Sequence, residues 1–137
     1  MFLNVHTYYS LRYGSISPKD LVLLAKEHNM NEMVLTDINS TTACIDFVRN
    51  AIKHEIRPIL GVDFRNGATQ KFIILAKNNN GYFHINNYLS SFLHQDKMEI
   101  PFSAKVLPNT IVIYPYQKEV RALAAHEFIG VKPADIN

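Results

Sequence analysis

Glu32-Met33-Val34-Leu35-Thr36-Asp37 is the stretch whose reading decides the fold: a strand that ends in polar residues, lying between two helical segments. Upstream, Ser17-Pro18-Lys19-Asp20 opens a helix. Ser17 suits the N-cap, Pro18 the first helical position, and Asp20 the positive helix end. Leu21, Leu24, Ala25 and His28 recur at three- and four-residue spacing, so this helix is amphipathic, and Asn29 suits a left-handed cap. Downstream, Thr41 to His54 reads as a second helix with Cys44, Phe47, Val48, Ala51 and Ile52 on one side. A third strand follows over Ile56 to Phe64, with Pro58 near its start or at an edge.

Working outward, Leu3 to His6 reads as a short first strand beginning almost at residue 1, as a true N-terminus would. Thr7 to Gly14 is a loop rich in hydroxyl and aromatic groups. The order is then β-α-β-α-β with short connections. That order predicts right-handed crossovers and an α/β fold with a parallel sheet or barrel. Asn66-Gly67 is a turn signal ahead of a fourth strand, Lys71 to Lys77. Asn78 to Gly81 forms a loop, Tyr82 to His94 a third helix, Thr110 to Tyr114 a fifth strand and Lys118 to Glu127 a fourth helix. Gly130 to Asn137 resembles the start of another strand and turn, so residues 1–137 read as a single domain cut short.

The 137 residues are 47% hydrophobic and 19% charged, a balance that supports a buried core and argues against disorder. Fourteen Lys and Arg against twelve Asp and Glu leave a formal +2, with no run of basic residues. A dedicated nucleic-acid module carries a stronger basic signal. The one cysteine, Cys44, excludes an intrachain disulfide and a Cys-based zinc motif, and suits a reducing cytoplasm. Neither a signal peptide nor a membrane-spanning run is expected.

In parallel α/β folds, chemistry sits at the carboxyl ends of the strands. Here those ends carry His6, Asp37 and Asp63. Three metal-capable side chains at successive strand ends would share one rim.

Four segments carry a resemblance. Phe2 to Gly14 (Phe-Leu-Asn-Val-His-Thr-Tyr-Tyr-Ser-Leu-Arg-Tyr-Gly) is similar to the first motif of the polymerase and histidinol phosphatase (PHP) superfamily, roughly His-x-His-[Ser/Thr]-x-Tyr-Ser-x-x-Asp-Gly. Leu35-Thr36-Asp37-Ile38-Asn39 resembles the second, Leu-Thr-Asp-His-Gly or Asn. Arg57 to Phe64 resembles the third, Lys-Pro-Ile-x-Gly-x-Glu-Phe. Ile74 to Tyr82 resembles Leu-Leu-Ala-Lys-Asn-x-x-Gly-Tyr, which belongs to the branch that opens bacterial DNA polymerase III alpha subunits. The resemblance implies the N-terminal portion of a distorted seven-stranded β/α barrel, at the head of a long cytoplasmic polymerase chain. It implies as partners the rest of the alpha chain, a proofreading exonuclease subunit docked on the domain, and DNA reached through the parent protein. The nucleotidyl transfer itself uses magnesium in a later domain.

The departures bear on the site. Asn4 stands where the family has its first metal-binding His, Tyr13 where it has Asp, Ile38 where it has His, and Asp63 where it has Glu. His6 is retained. Asn4, His6, Tyr13, Asp37, Ile38 and Asp63 thus read as vestigial metal-site positions, with no catalytic residue, no cofactor and an inactive centre expected. The alternative is a working metal-dependent phosphoesterase or 3′–5′ exonuclease, with His6 and Asp63 gripping zinc or manganese.

Plainer readings apply to the same residues. His6 is a hydrogen-bonded strand-end residue, and Asp37 is a cap or turn former for the Asn39-Ser40-Thr41 entry to the second helix. Asp63 pairs with Arg57 or Arg65, or faces solvent. Tyr8, Tyr9 and Tyr13 pack over a barrel mouth rather than stack on bases. His28, His54, His84, His94 and His126 are surface or boundary residues, and Cys44 is a small buried apolar group.

Overall fold

Ser17 starts the first helix as its sequence predicts. Its hydroxyl accepts a hydrogen bond from the Asp20 amide at 3.0 Å, and Pro18 opens helix α1 (Pro18–Glu27). Asn29 takes the left-handed conformation beyond its end, with φ of 53°. The structure is a computed structural model that describes residues 3–95, 97, 99–116, 122–132 and 135. The other elements are strand β1 (Glu32–Leu35), helix α2 (Cys44–Lys53), strands β2 (Arg57–Asn66) and β3 (Thr69–Ala76), helix α3 (Asn79–Leu93), and strands β4 (Thr110–Pro115) and β5 (Glu127–Gly130). The five strands form a mixed sheet in the order β1-β2-β3-β4-β5. No helix among the described residues is long and apolar enough to cross a membrane.

The chain divides into two compact units, Met1–Asp63 and Phe64–Asn137. In the first, β1 runs parallel to β2 with Val34 opposite Ile59 and Leu35 opposite Leu60. Met33, Val34 and Leu35 are all buried, so β1 is covered on both faces and reads as a continuous apolar run. Helix α1 buries Pro18, Leu21, Val22 and Ala25; α2 buries Cys44, Phe47 and Ala51. Each set follows the three- and four-residue spacing of one helix face.

In the second unit, Phe64 packs on Phe72, Tyr88 and Phe92, with ring centroids 5.2, 5.6 and 6.5 Å away. Strand β3 pairs antiparallel with β4, and β4 pairs parallel with β5. Asn78 caps α3 by accepting from the Gly81 amide at 3.0 Å. Gly81 lies so close to the Asn109 carbonyl that a Cβ there would stand 2.0 Å from its oxygen.

Four expectations are corrected. Leu3 to His6 is not a strand: its neighbour is Thr36, whose hydroxyl replaces a backbone partner. Val5 N–H donates to Thr36 Oγ1 at 2.9 Å and Thr36 N–H to the Val5 carbonyl at 2.9 Å, too little for a ladder. The sheet is mixed rather than parallel: the turn read at Asn66-Gly67 forms over Gly67-Ala68, with Gly67 at φ of 57°, and reverses the chain from β2 into β3, which then pairs antiparallel with β4. The fourth helix does not continue through its described part: residues 122–126 are irregular and turn, and Glu127 opens β5; residues 117–121 lie outside the described set. Ile52 faces outward, 66% exposed, because α2 turns its Phe47–Ala51 face to the core.

Two outcomes follow. Phe47→Ala should lower unfolding stability by about 3–5 kcal/mol, whereas Ile52→Ala should change it by less than about 0.5 kcal/mol; urea denaturation measures both. Burial holds the Tyr88 phenol above its usual range, partly offset by the Lys105 backbone N–H. A raised folded-state value means its contribution is complete below pH 10.0 and is lost as pH climbs through and beyond it. Tyr88→Phe should therefore flatten the alkaline decline of stability in denaturation series run across that range.

Candidate functional site

The site grows from the register of β1 on β2. Continuing three residues past the Leu35–Leu60 pair brings Ile38 opposite Asp63, and the two form an isolated parallel bridge. Asp63 N–H donates to the Asp37 carbonyl at 3.2 Å, and Asn39 N–H to the Asp63 carbonyl at 3.0 Å. Asp37, two residues past β1, and Asp63, within β2 rather than at its end, thus lie side by side in the backbone, and both are buried: Asp37 is 1% exposed and Asp63 is fully buried.

The Asp37 carboxylate is taken up by the loop that follows His6. Thr7 N–H donates to Oδ1 at 2.7 Å, Thr7 Oγ1 to Oδ2 at 2.7 Å, and Ser10 Oγ to Oδ1 at 2.6 Å. Such short bonds to an ionised acceptor are the strong kind, and they compensate the burial of its charge. Ser10 Oγ also accepts from Ile38 N–H at 2.9 Å, tying the loop back to the residue after Asp37. The loop then closes on itself: Ser10 N–H bonds the Thr7 carbonyl, and Tyr13 and Gly14 N–H both bond the Ser10 carbonyl at 3.0 Å. At Gly14 only a glycine fits, since a Cβ would stand 2.0 Å from the Thr7 carbonyl oxygen.

The second carboxylate meets the retained histidine. His6 Nε2 lies 3.1 Å from Asp63 Oδ2, with the His6 side chain 13% exposed. The Tyr13 ring meets the His6 ring edge-on at 6.5 Å. Asn4 is exposed and lies 3.4 Å from Thr36 Oγ1, which donates to its Oδ1. Ile38 has only a hydrocarbon side chain to offer. Among the described residues, no group of three or more His, Cys, Asp or Glu is placed to hold a metal ion.

Asp37 is therefore not a cap for the second helix. It organises the loop before α1, because the hydroxyls of Thr7 and Ser10 reach it first. Asp63 does not face solvent, and Arg57 is engaged elsewhere, with Nη1 2.7 Å from Glu32 Oε1. Tyr8, Tyr9 and Tyr13 are 45, 36 and 47% exposed rather than packed away, along with Leu11 at 81%. The Tyr8 phenol is raised above its usual range by its side-chain hydrogen bond with Tyr9, then by desolvation and by the charges of Tyr9, Asp46 and Asp20. His28, His54 and His94 each stand at the C-cap of a helix, and Cys44 is buried. Thr7 and Ser10 were the residues missed from sequence. Their signal was two hydroxyls three apart, one helical turn, just after His6.

Replacing Asp37 by Asn puts an amide NH2 where one accepting oxygen stood, facing Thr7 Oγ1 in one orientation and both Thr7 N–H and Ser10 Oγ in the other. It should cost on the order of 3 kcal/mol, with Ser10→Ala costing roughly 1–3 kcal/mol because Ile38 N–H loses its acceptor. Urea unfolding of both variants checks this; unchanged midpoints would show that the carboxylate does not hold the loop.

The family model for the PHP domain matches residues 3–131. A DNA polymerase III subunit alpha from Ureaplasma parvum is 35% identical over 72% of this chain, and one from Borreliella burgdorferi 31% identical over 71%. The chain spans about a tenth of the length of these curated relatives (10%). An amidohydrolase from Chromobacterium violaceum, solved with bound sulfate and no metal, superposes over 66% of this chain and 32% of its own with a TM-score of 0.52 and 19% identity, a likeness of fold alone. With the match running through every motif described above, the chain belongs to the PHP domain family.

Proposed function

We propose that this chain is a non-catalytic PHP module of a replicative DNA polymerase III alpha-type protein. In this reading it forms part of a distorted seven-stranded barrel, supports the rest of the alpha chain, docks a separate proofreading exonuclease subunit, and has a metal centre that no longer assembles. The observation that carries the reading is the Asp37 carboxylate, both of whose oxygens accept bonds from Thr7 and Ser10. Of the remaining positions, only His6 and Asp63 keep metal-type atoms; Asn4, Tyr13 and Ile38 offer an amide, a phenol and a hydrocarbon. That set does not fit a zinc or manganese cluster, which needs several carboxylate and imidazole donors. The docking role is supported by the pinned loop that presents Tyr8, Tyr9, Leu11 and Tyr13 outward, since exposed aromatic side chains on ordered backbone anchor protein interfaces.

One observation favours a second reading. His6 and Asp63 stand 3.1 Å apart, and a single zinc or manganese ion gripped by both would restore a phosphoesterase or 3′–5′ exonuclease. Elemental analysis of the purified chain, beside assays on bis-p-nitrophenyl phosphate and on a 3′-labelled single strand, separates the two. The expected result is substoichiometric metal and no turnover. One equivalent of zinc or manganese, with turnover abolished by His6→Ala and by Asp63→Ala, would establish the second reading instead.

A further inference from the structure

The second compact unit carries a feature unrelated to the strand-end carboxylates. The segment from residue 99 to 107 has no regular structure, yet it is fastened along its length. Asn66 holds Ile100 by two bonds, its Nδ2 donating to the Ile100 carbonyl at 2.9 Å and its Oδ1 accepting from Ile100 N–H at 2.8 Å. Ala104 N–H donates to the Tyr114 hydroxyl at 3.1 Å, which in turn donates to Glu127 Oε1 at 2.9 Å. Lys105 N–H bonds the Tyr88 hydroxyl. Thr110 Oγ1 donates to the Leu107 carbonyl at 2.8 Å, and Ile100 and Leu107 are buried.

Between the fastenings at residues 100 and 104 stands Phe102, 77% exposed. Lys71 Nζ sits 3.7 Å from its ring centroid, covering one face. Val106, 69% exposed, follows. A single exposed phenylalanine is ordinary on a protein surface. One held out on a strap whose ordering entropy is already met by these hydrogen bonds is a preorganised anchor.

Charge selects the occupant. The formal +2 is unevenly divided: residues 64–137 hold eight Lys and Arg against five Asp and Glu, a formal +3, while residues 1–63 hold six against seven, a formal −1. Near Phe102 in sequence stand Lys97 and Lys105, opposed by Asp96 and Glu99, and Lys71 touches the ring directly. A flat apolar ring with the Lys71 ammonium against it, on a half of the chain with a formal +3, matches a ligand that alternates π-faces with phosphates.

We propose that the 99–107 strap is a binding site for single-stranded nucleic acid, with one base stacked on the uncovered face of Phe102 and the neighbouring phosphates drawn to Lys71 and Lys105. Stacking of this kind tolerates any base, and the phosphate attraction is screened by salt.

The test is fluorescence anisotropy of a labelled oligothymidine with the 137-residue chain across a salt series. Phe102→Ala should weaken binding about tenfold. Lys71→Gln and Lys105→Gln should each flatten the salt dependence, by about 0.7 in log–log slope for each phosphate that goes unneutralised. Ile52→Ala, on the other unit, should bind as the parent does. Should Phe102→Ala lose its folded amide spectrum, the parent chain's own Phe102 ring protons serve, and they should move upfield as the oligonucleotide is added. Absence of oligonucleotide binding, equal affinity of a folded Phe102→Ala, or Phe102 ring protons that stay in place would each overturn the proposal. Binding of a protein partner alone through Phe102 and Val106 would do so as well.

Discussion

A carboxylate buried to 1% exposure cannot stand alone, and the first sixty residues are arranged around that requirement at Asp37. So deep a group must draw its donors from the protein, and it takes them from the nearest segment that can bend to reach. Thr7 contributes an amide and a hydroxyl, and Ser10 a second hydroxyl. Meeting that demand fixes the path of the chain from His6 to Gly14, which in turn sets the approach to α1: Tyr8 N–H bonds the Ile16 carbonyl at 3.0 Å, one residue before the Ser17 cap.

The same constraint bears on chemistry. A parallel strand pair delivers two acids to one place through register alone, with Ile38 opposite Asp63 and Asp37 beside it. Such an arrangement is where a metal-dependent hydrolase would gather its ligands. In this chain the two acids have separate partners: Asp37 has the loop and Asp63 has His6. Both oxygens of Asp37 accept bonds from the loop, and Oδ2 of Asp63 lies against His6 Nε2.

Much of this was legible in the sequence, and what was not has identifiable causes. Local chemistry spoke clearly: Ser17-Pro18 with Asp20, left-handed Asn29, the turn at Gly67, and the β1–α2–β2 order all emerged as read. His6 meets Asp63 side chain to side chain, and Asp37 lies beside Asp63 in the backbone, although His6 belongs to no strand, Asp37 stands two residues past β1 and Asp63 lies within β2. Strand direction in the second unit was misread, since apolar runs such as Phe72 to Leu75 look alike whether their neighbour runs with them or against them. Leu3 to His6 resembled a strand because its apolar residues alternate, but a ladder needs a partner edge, and Thr36 answers with a side chain. The partner of Asp37 was beyond reach for a similar reason: hydroxyls some thirty residues away in sequence can be assigned only when the fold brings them back.

The central claim is that the Asp37 carboxylate belongs to the loop and is not available to a cation. The most direct measurement is the through-hydrogen-bond scalar coupling between the Thr7 amide nitrogen and the Asp37 carboxylate carbon, recorded by NMR on isotope-labelled protein before and after addition of excess zinc. The coupling should be present and unchanged by the metal. Its disappearance as zinc is added, with the carboxylate carbon shifting in step, would show that the acid leaves Thr7 for the ion and would contradict the account.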